Sequence, residues 1–160
     1  MKKFFFLFFV LISYTTISQN TRLLREPTLS KTTIVFVHAS DLWKVSLDGG
    51  NAIRLTSDEG YETNPQFSKD GKWIAFTAQY DGNTDVFIVS VNGGEPKRLT
   101  YHPSRDVVQS WTPDGKILFR SGRESKPTQT NKFYTISIEG GTPDAFDIPR
   151  AAFGEISENN

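Results

Sequence analysis

A repeat narrows the possible folds of this chain more than any other feature. Arg54-Leu55-Thr56 returns as Arg98-Leu99-Thr100, 44 residues later. Asp48-Gly49-Gly50, Asn92-Gly93-Gly94 and Glu139-Gly140-Gly141 follow one another at 44 and then 47 residues. Phe67-Ser68-Lys69-Asp70-Gly71-Lys72 returns as Trp111-Thr112-Pro113-Asp114-Gly115-Lys116, again after 44. Asp41-Leu42-Trp43 returns as Asp85-Val86-Phe87 and, less faithfully, as Lys132-Phe133-Tyr134. A period of roughly 40–50 residues is the length of a propeller blade.

Helical repeats can have similar periods, so the local pattern must decide. The apolar runs are short: Ile34 to Val37, Trp73 to Phe76, Val86 to Val91, Ile117 to Phe119 and Phe133 to Ile138. They favour β-branched and aromatic residues, which pack well on a pleated surface. Asp-Gly and Gly-Gly pairs separate them and supply the positive φ that hairpins need. No segment sustains a period of 3.6. The second copy predicts strands at Asn64 to Phe67, Trp73 to Ala78, Asp85 to Val91 and Pro96 to Leu99. Four antiparallel strands per repeat make an all-β propeller blade. The expected blades are about 23–56, 63–100 and 106–149, and a fourth opens near 151, where Ile156-Ser157 resembles Phe67-Ser68.

Residues 19–160 are therefore expected to form a partial propeller. Three blades leave two apolar faces without a neighbour. Burial is worth about 25 cal/mol per Å², and a whole domain is stable by only about 5–15 kcal/mol. The expectation is a segment of a longer protein.

Lys2 and Lys3 followed by the apolar run Phe4 to Ile12 read as a signal peptide over residues 1–18. Cleavage is expected between Ser18 and Gln19, which places the mature chain in the periplasm or outside the cell. The run is too short for a bilayer span, which needs roughly 20 residues. The chain has 18 basic and 18 acidic residues, so nothing in its balance suggests nucleic acid or an anionic membrane as partner. It has no cysteine, which excludes disulfides, thiolate metal sites and a lipoprotein anchor.

The motifs also carry a resemblance. Phe67-Ser68-Lys69-Asp70-Gly71-Lys72-Trp73-Ile74-Ala75-Phe76 and its later copy resemble the repeat of TolB-like, WD40-like and tricorn-like propellers. Ala78-Gln79-Tyr80-Asp81-Gly82-Asn83-Thr84-Asp85-Val86 and Pro96-Lys97-Arg98-Leu99-Thr100-Tyr101-His102-Pro103 sharpen it. Together they resemble the opening blades of tricorn-type serine peptidases, over about Leu23 to Phe153. The resemblance implies a six-bladed propeller that admits or positions peptides. A second propeller, a PDZ-like domain and a catalytic serine core would follow in later sequence. Peptides or proteins are the implied partners. A TolB-like protein-binding propeller and the propeller of a prolyl-oligopeptidase-type enzyme are the alternatives. Lys69 stands where proline is usual, and Lys132 where the third copy should have aspartate.

The chain itself offers no catalytic set. His38 and His102 are its two histidines, and no G-x-S-x-G elbow accompanies them. No cofactor or metal is expected. Asp81, Asn83 and Asp85 alternate as calcium ligands sometimes do, but a turn leading into a strand explains them better. Trp43, Trp73 and Trp111 read as blade packing, and the turn aspartates as hairpin caps. One loop stands out. The distance from Phe36 to Trp43 is 7 positions, from Phe76 to Phe87 it is 11, and from Phe119 to Tyr134 it is 15. The third and longest connection carries Arg120, Arg123, Lys126 and Lys132, with Glu124 as its one acid. Such a cluster could hold a carboxylate.

Overall fold

The computed structural model describes residues 24–124, 130–146, 148, 150 and 152–157. The leader reading falls on residues 1–18, outside them. Among the described residues there are twelve strands and no helix. They form three four-stranded sheets, each antiparallel and each in chain order.

The first sheet holds β1 (Arg25–Leu29), β2 (Thr33–His38), β3 (Asp41–Ser46) and β4 (Ile53–Arg54). The second holds β5 (Glu62–Phe67), β6 (Trp73–Ala78), β7 (Asp85–Ser90) and β8 (Lys97–Arg98). The third holds β9 (Asp106–Trp111), β10 (Ile117–Ser121), β11 (Lys132–Ser137) and β12 (Gly140–Ala145). The expected strand order is thus present in every copy. The outer strands of the first two sheets are shorter than expected, at two residues each. An edge strand has a partner on one side only, and a short edge offers little template for stray pairing.

Register makes the copies superimposable. Phe36 pairs with Trp43, Phe76 with Phe87, and Phe119 with Tyr134. One strand further out, Trp43 faces Arg54, Phe87 faces Arg98 and Tyr134 faces Ala145. Between sheets one and two lies a core of Val35, Val37, Leu42, Leu55, Ile74, Phe76, Phe87 and Val89. Between sheets two and three lies another, with Ala75, Val86, Ile88, Leu99, Val108, Ile117, Phe119 and Tyr134. Alternate residues of β6 thus enter different cores. That is why the strand reads as a continuous apolar run rather than an alternating one.

The turn aspartates act as caps. Ser68 Oγ and the Lys72 N–H both donate to Asp70 Oδ1, at 2.6 and 3.1 Å. The Ser68 hydroxyl, with the Lys72 amide behind it, holds the Asp70 carboxyl below its ordinary range. Thr112 Oγ1 donates to Asp114 Oδ1 in the matching turn.

The inner strands share an irregularity. Register slips between Arg25 and Thr28, between Thr63 and Gln66, and opposite Leu118 and Phe119. Such bulges bend a strand and re-aim its side chains. Glu26 and Asn64 take positive φ there, 51° and 53°. The Asn64 N–H donates to Glu26 Oε2, tying the first two inner strands together.

Candidate functional site

One end of the sheets gathers the connections Ala39–Ser40 and 79–84, the described ends 122–124 and 130–131 of the third connection, and the links from one sheet to the next. Its most regular feature is an ion pair. Arg54 donates to Asp41 and to the Thr56 carbonyl, both at 2.9 Å. Arg98 repeats this with Asp85 at 2.6 Å and the Thr100 carbonyl at 2.9 Å. In the third sheet the aspartate is Lys132 and the arginine is Ala145, so both partners are exchanged together.

A second buried contact joins the second sheet to the first. Glu62 is 1% exposed at the start of β5. It accepts from the Leu42 N–H at 2.8 Å, Thr56 Oγ1 at 2.5 Å and Tyr80 Oη at 2.6 Å. Burial pushes its carboxyl above the ordinary range, against the pull of the donors from Thr56, Tyr80 and Leu42. A carboxyl raised above its unfolded value of 4.5 contributes fully below pH 4.5, and that contribution is lost as pH rises through the folded value. Glu62→Gln removes this titration. Its stability relative to the parent is expected to increase as pH climbs from about 4.5 into the raised range. Urea melts at stepped pH read this directly, and a flat or falling difference contradicts it.

The corresponding contact in the third sheet is built from other residues. Asp106 takes the place of Glu62, and Arg123, two positions past Ser121, takes that of Tyr80, two past Ala78. Arg123 Nη2 donates to Asp106 Oδ2 at 2.5 Å, with side-chain exposures of 10% and 0%. Its guanidinium lies 5.1 Å from the ring centres of both Phe119 and Tyr134. Tyr134 Oη donates to the Arg123 carbonyl at 3.0 Å, and Arg123 N donates to Ser121 Oγ at 3.1 Å. A shorter acid and a longer cation replace a longer acid and a phenol.

The four cations of the long connection are therefore placed differently. Arg123 is turned onto Asp106 of its own sheet. Arg120 Nη1 donates to the Ala152 carbonyl at 2.9 Å, and its guanidinium lies 5.2 Å from the Phe153 ring centre. Lys132 is half-buried at the start of β11, and Lys126 lies outside the described residues. His102 Nδ1 accepts from Ser104 N, and His38 packs edge-on to Trp43. Asn83 Nδ2 donates to both Asp85 oxygens at 3.2 Å and to the His102 carbonyl at 2.7 Å. These contacts close the turn that leads into β7.

The inner strands delimit a further feature that sequence reasoning missed. A cavity of about 550 Å³ is walled by β5, β9 and the segment Ala152–Ser157. Asn64 and Gln66 come from β5, Gln109 and Ser110 from β9, and Phe153 and Glu155 from the last segment. Gly154 is held so close that a Cβ there would meet the Phe133 ring at 2.6 Å. Ser110 Oγ is buried without a partner among the described residues. Gln109 Nε2 donates to the carbonyls of Val107 and Val108.

Stacked four-stranded sheets whose polar inner strands line a common axis define a β-propeller segment. The tricorn protease N-terminal beta propeller domain model matches residues 21–160, and the chain belongs to that family. It is 32% identical over 126 residues to Tricorn protease homolog 1 of Streptomyces coelicolor, covering 78% of this chain and 12% of that one. It is 32% identical over 137 residues to the putative tricorn-like protease N-terminal subunit of Sulfurisphaera tokodaii, covering 82% and 67%. The fold matches the crystal structure of the tricorn protease with a TM-score of 0.74 at 23% identity, over 85% of this chain and 14% of that chain. It matches TolB from Acinetobacter baumannii with a TM-score of 0.65 at 23% identity, over 79% and 33%.

Proposed function

We propose that this chain is the non-catalytic propeller segment of an exported tricorn-like serine peptidase, and that it positions peptides along its axis. The axial cavity carries this reading. Its wall presents carboxamides from Asn64, Gln66 and Gln109 and the Ser110 hydroxyl. A peptide backbone alternates donors and acceptors, and carboxamides and hydroxyls can meet both. Family membership makes a peptide the natural ligand class. In this reading Arg120, Lys126 and Lys132 are the candidate contacts for a peptide carboxylate, and Arg123 secures the connection that carries them.

In the protease that contains this segment, Gln66→Leu combined with Gln109→Leu is expected to raise KM for oligopeptides about tenfold with kcat unchanged. That corresponds to about 1.4 kcal/mol of binding. An unchanged KM refutes axial positioning. Export is tested separately by N-terminal sequencing of the mature protein. The reading requires Gln19 as the first residue, and a retained Met1 refutes it.

A further inference from the structure

The end of the sheets away from Arg123 carries the turns 68–73 and 112–117. Between them is a cleft of about 340 Å³ lined by Trp73 and Trp111, with Ile138, Lys69, Asp70 and Asp114 around it. This size falls in the range of small-molecule sites, which are mostly apolar with a few placed polar groups. The same two positions at the preceding junction are Thr33 and Phe67, so the pair of indoles is particular to sheets two and three.

Trp111 Nε1 donates to the Gln66 carbonyl at 2.9 Å, which fixes its ring. Trp73 is half-buried. Each aspartate uses Oδ1 to hold its own turn. Asp70 Oδ2 forms a 3.6 Å ion pair with Lys72, and Asp114 is exposed.

From this we infer that the Trp73–Trp111 cleft binds a pyranose ring of a carbohydrate. Indoles supply broad apolar faces for the CH face of a sugar. Ionised carboxylates accept only, so the ligand must bring several donors, as sugar hydroxyls do. A peptide's aromatic side chain would use the indoles and leave the carboxylates unused.

The chain has three tryptophans, so Trp43→Phe leaves only the cleft pair to report by fluorescence. That variant is titrated with maltose, cellobiose and chitobiose. At least one is expected to give a saturable change with millimolar affinity, abolished by Trp73→Ala and weakened roughly tenfold by Asp114→Asn. If Trp73→Ala does not fold, the exposed Asp114→Asn carries the test. No saturable change with any of the three, or affinity unaltered by the substitutions, overturns the inference. Saturation by phenylalaninamide with no response to sugars also overturns it, in favour of a peptide side chain.

Discussion

Asp106→Ala is expected to lower stability by about 3–5 kcal/mol, because it strands a buried guanidinium. Arg123 is held between Phe119 and Tyr134, with Asp106 as its counter-charge at hydrogen-bond distance among the described residues. Removing the acid leaves the cation desolvated and unpaired. Whole-domain stability is about 5–15 kcal/mol, so the loss is a large share of it. The origin of the loss can be isolated. Arg123→Met in the Asp106→Ala background removes the stranded charge and fills similar space, so most of the stability should return. Equilibrium urea unfolding of the parent, the two single variants and the double variant gives the full cycle. A double variant no better than Asp106→Ala would mean that the pair is not what holds this junction.

Phe76→Ala is expected to cost about 3–5 kcal/mol, the range for emptying a large buried site. Phe76 is fully buried on β6, with its ring centre 5.9 Å from that of Phe87. It sits in the core between the first two sheets beside Val35, Leu42 and Leu55. Neighbouring sheets cannot collapse into the gap without shifting the register that aligns Phe76 with Phe87. Leu29→Ala is the matching control, since Leu29 is 60% exposed. It should change stability by less than about 0.5 kcal/mol. Comparable losses from both would contradict the stacked-sheet core.

Much of this fold could be read from the repeat. The Asp-Gly and Gly-Gly turns fix where strands end, because their glycines take positive φ, such as 69° at Gly71 and 81° at Gly115. The repeated Asp and Arg of the first two copies form an ion pair, and the third copy exchanges both residues together. Arg123 was harder to place. By composition it belongs to a basic loop, and only alignment with Tyr80 shows that it faces the buried acid of its own sheet. The axial cavity was not legible at all. Its wall depends on bulges set by register, and on positive φ at Asn64, a residue that does not announce such a conformation as glycine does. The turn aspartates Asp70 and Asp114 read as caps and do cap their turns, yet both also line a cleft that only the stacking of two sheets creates.

Axial peptide positioning is the central claim, and photo-crosslinking tests it most directly. An oligopeptide carrying a benzoylphenylalanine is bound to the protease that contains this segment, irradiated, and the adducts are mapped by mass spectrometry. Labels are expected on the axial wall, at Gln66, Gln109, Ser110 or Glu155, and are expected to be lost on competition with unlabelled peptide. Competed labels confined to the outer strands Ile53–Arg54 and Lys97–Arg98, with none on the axial wall, would contradict it.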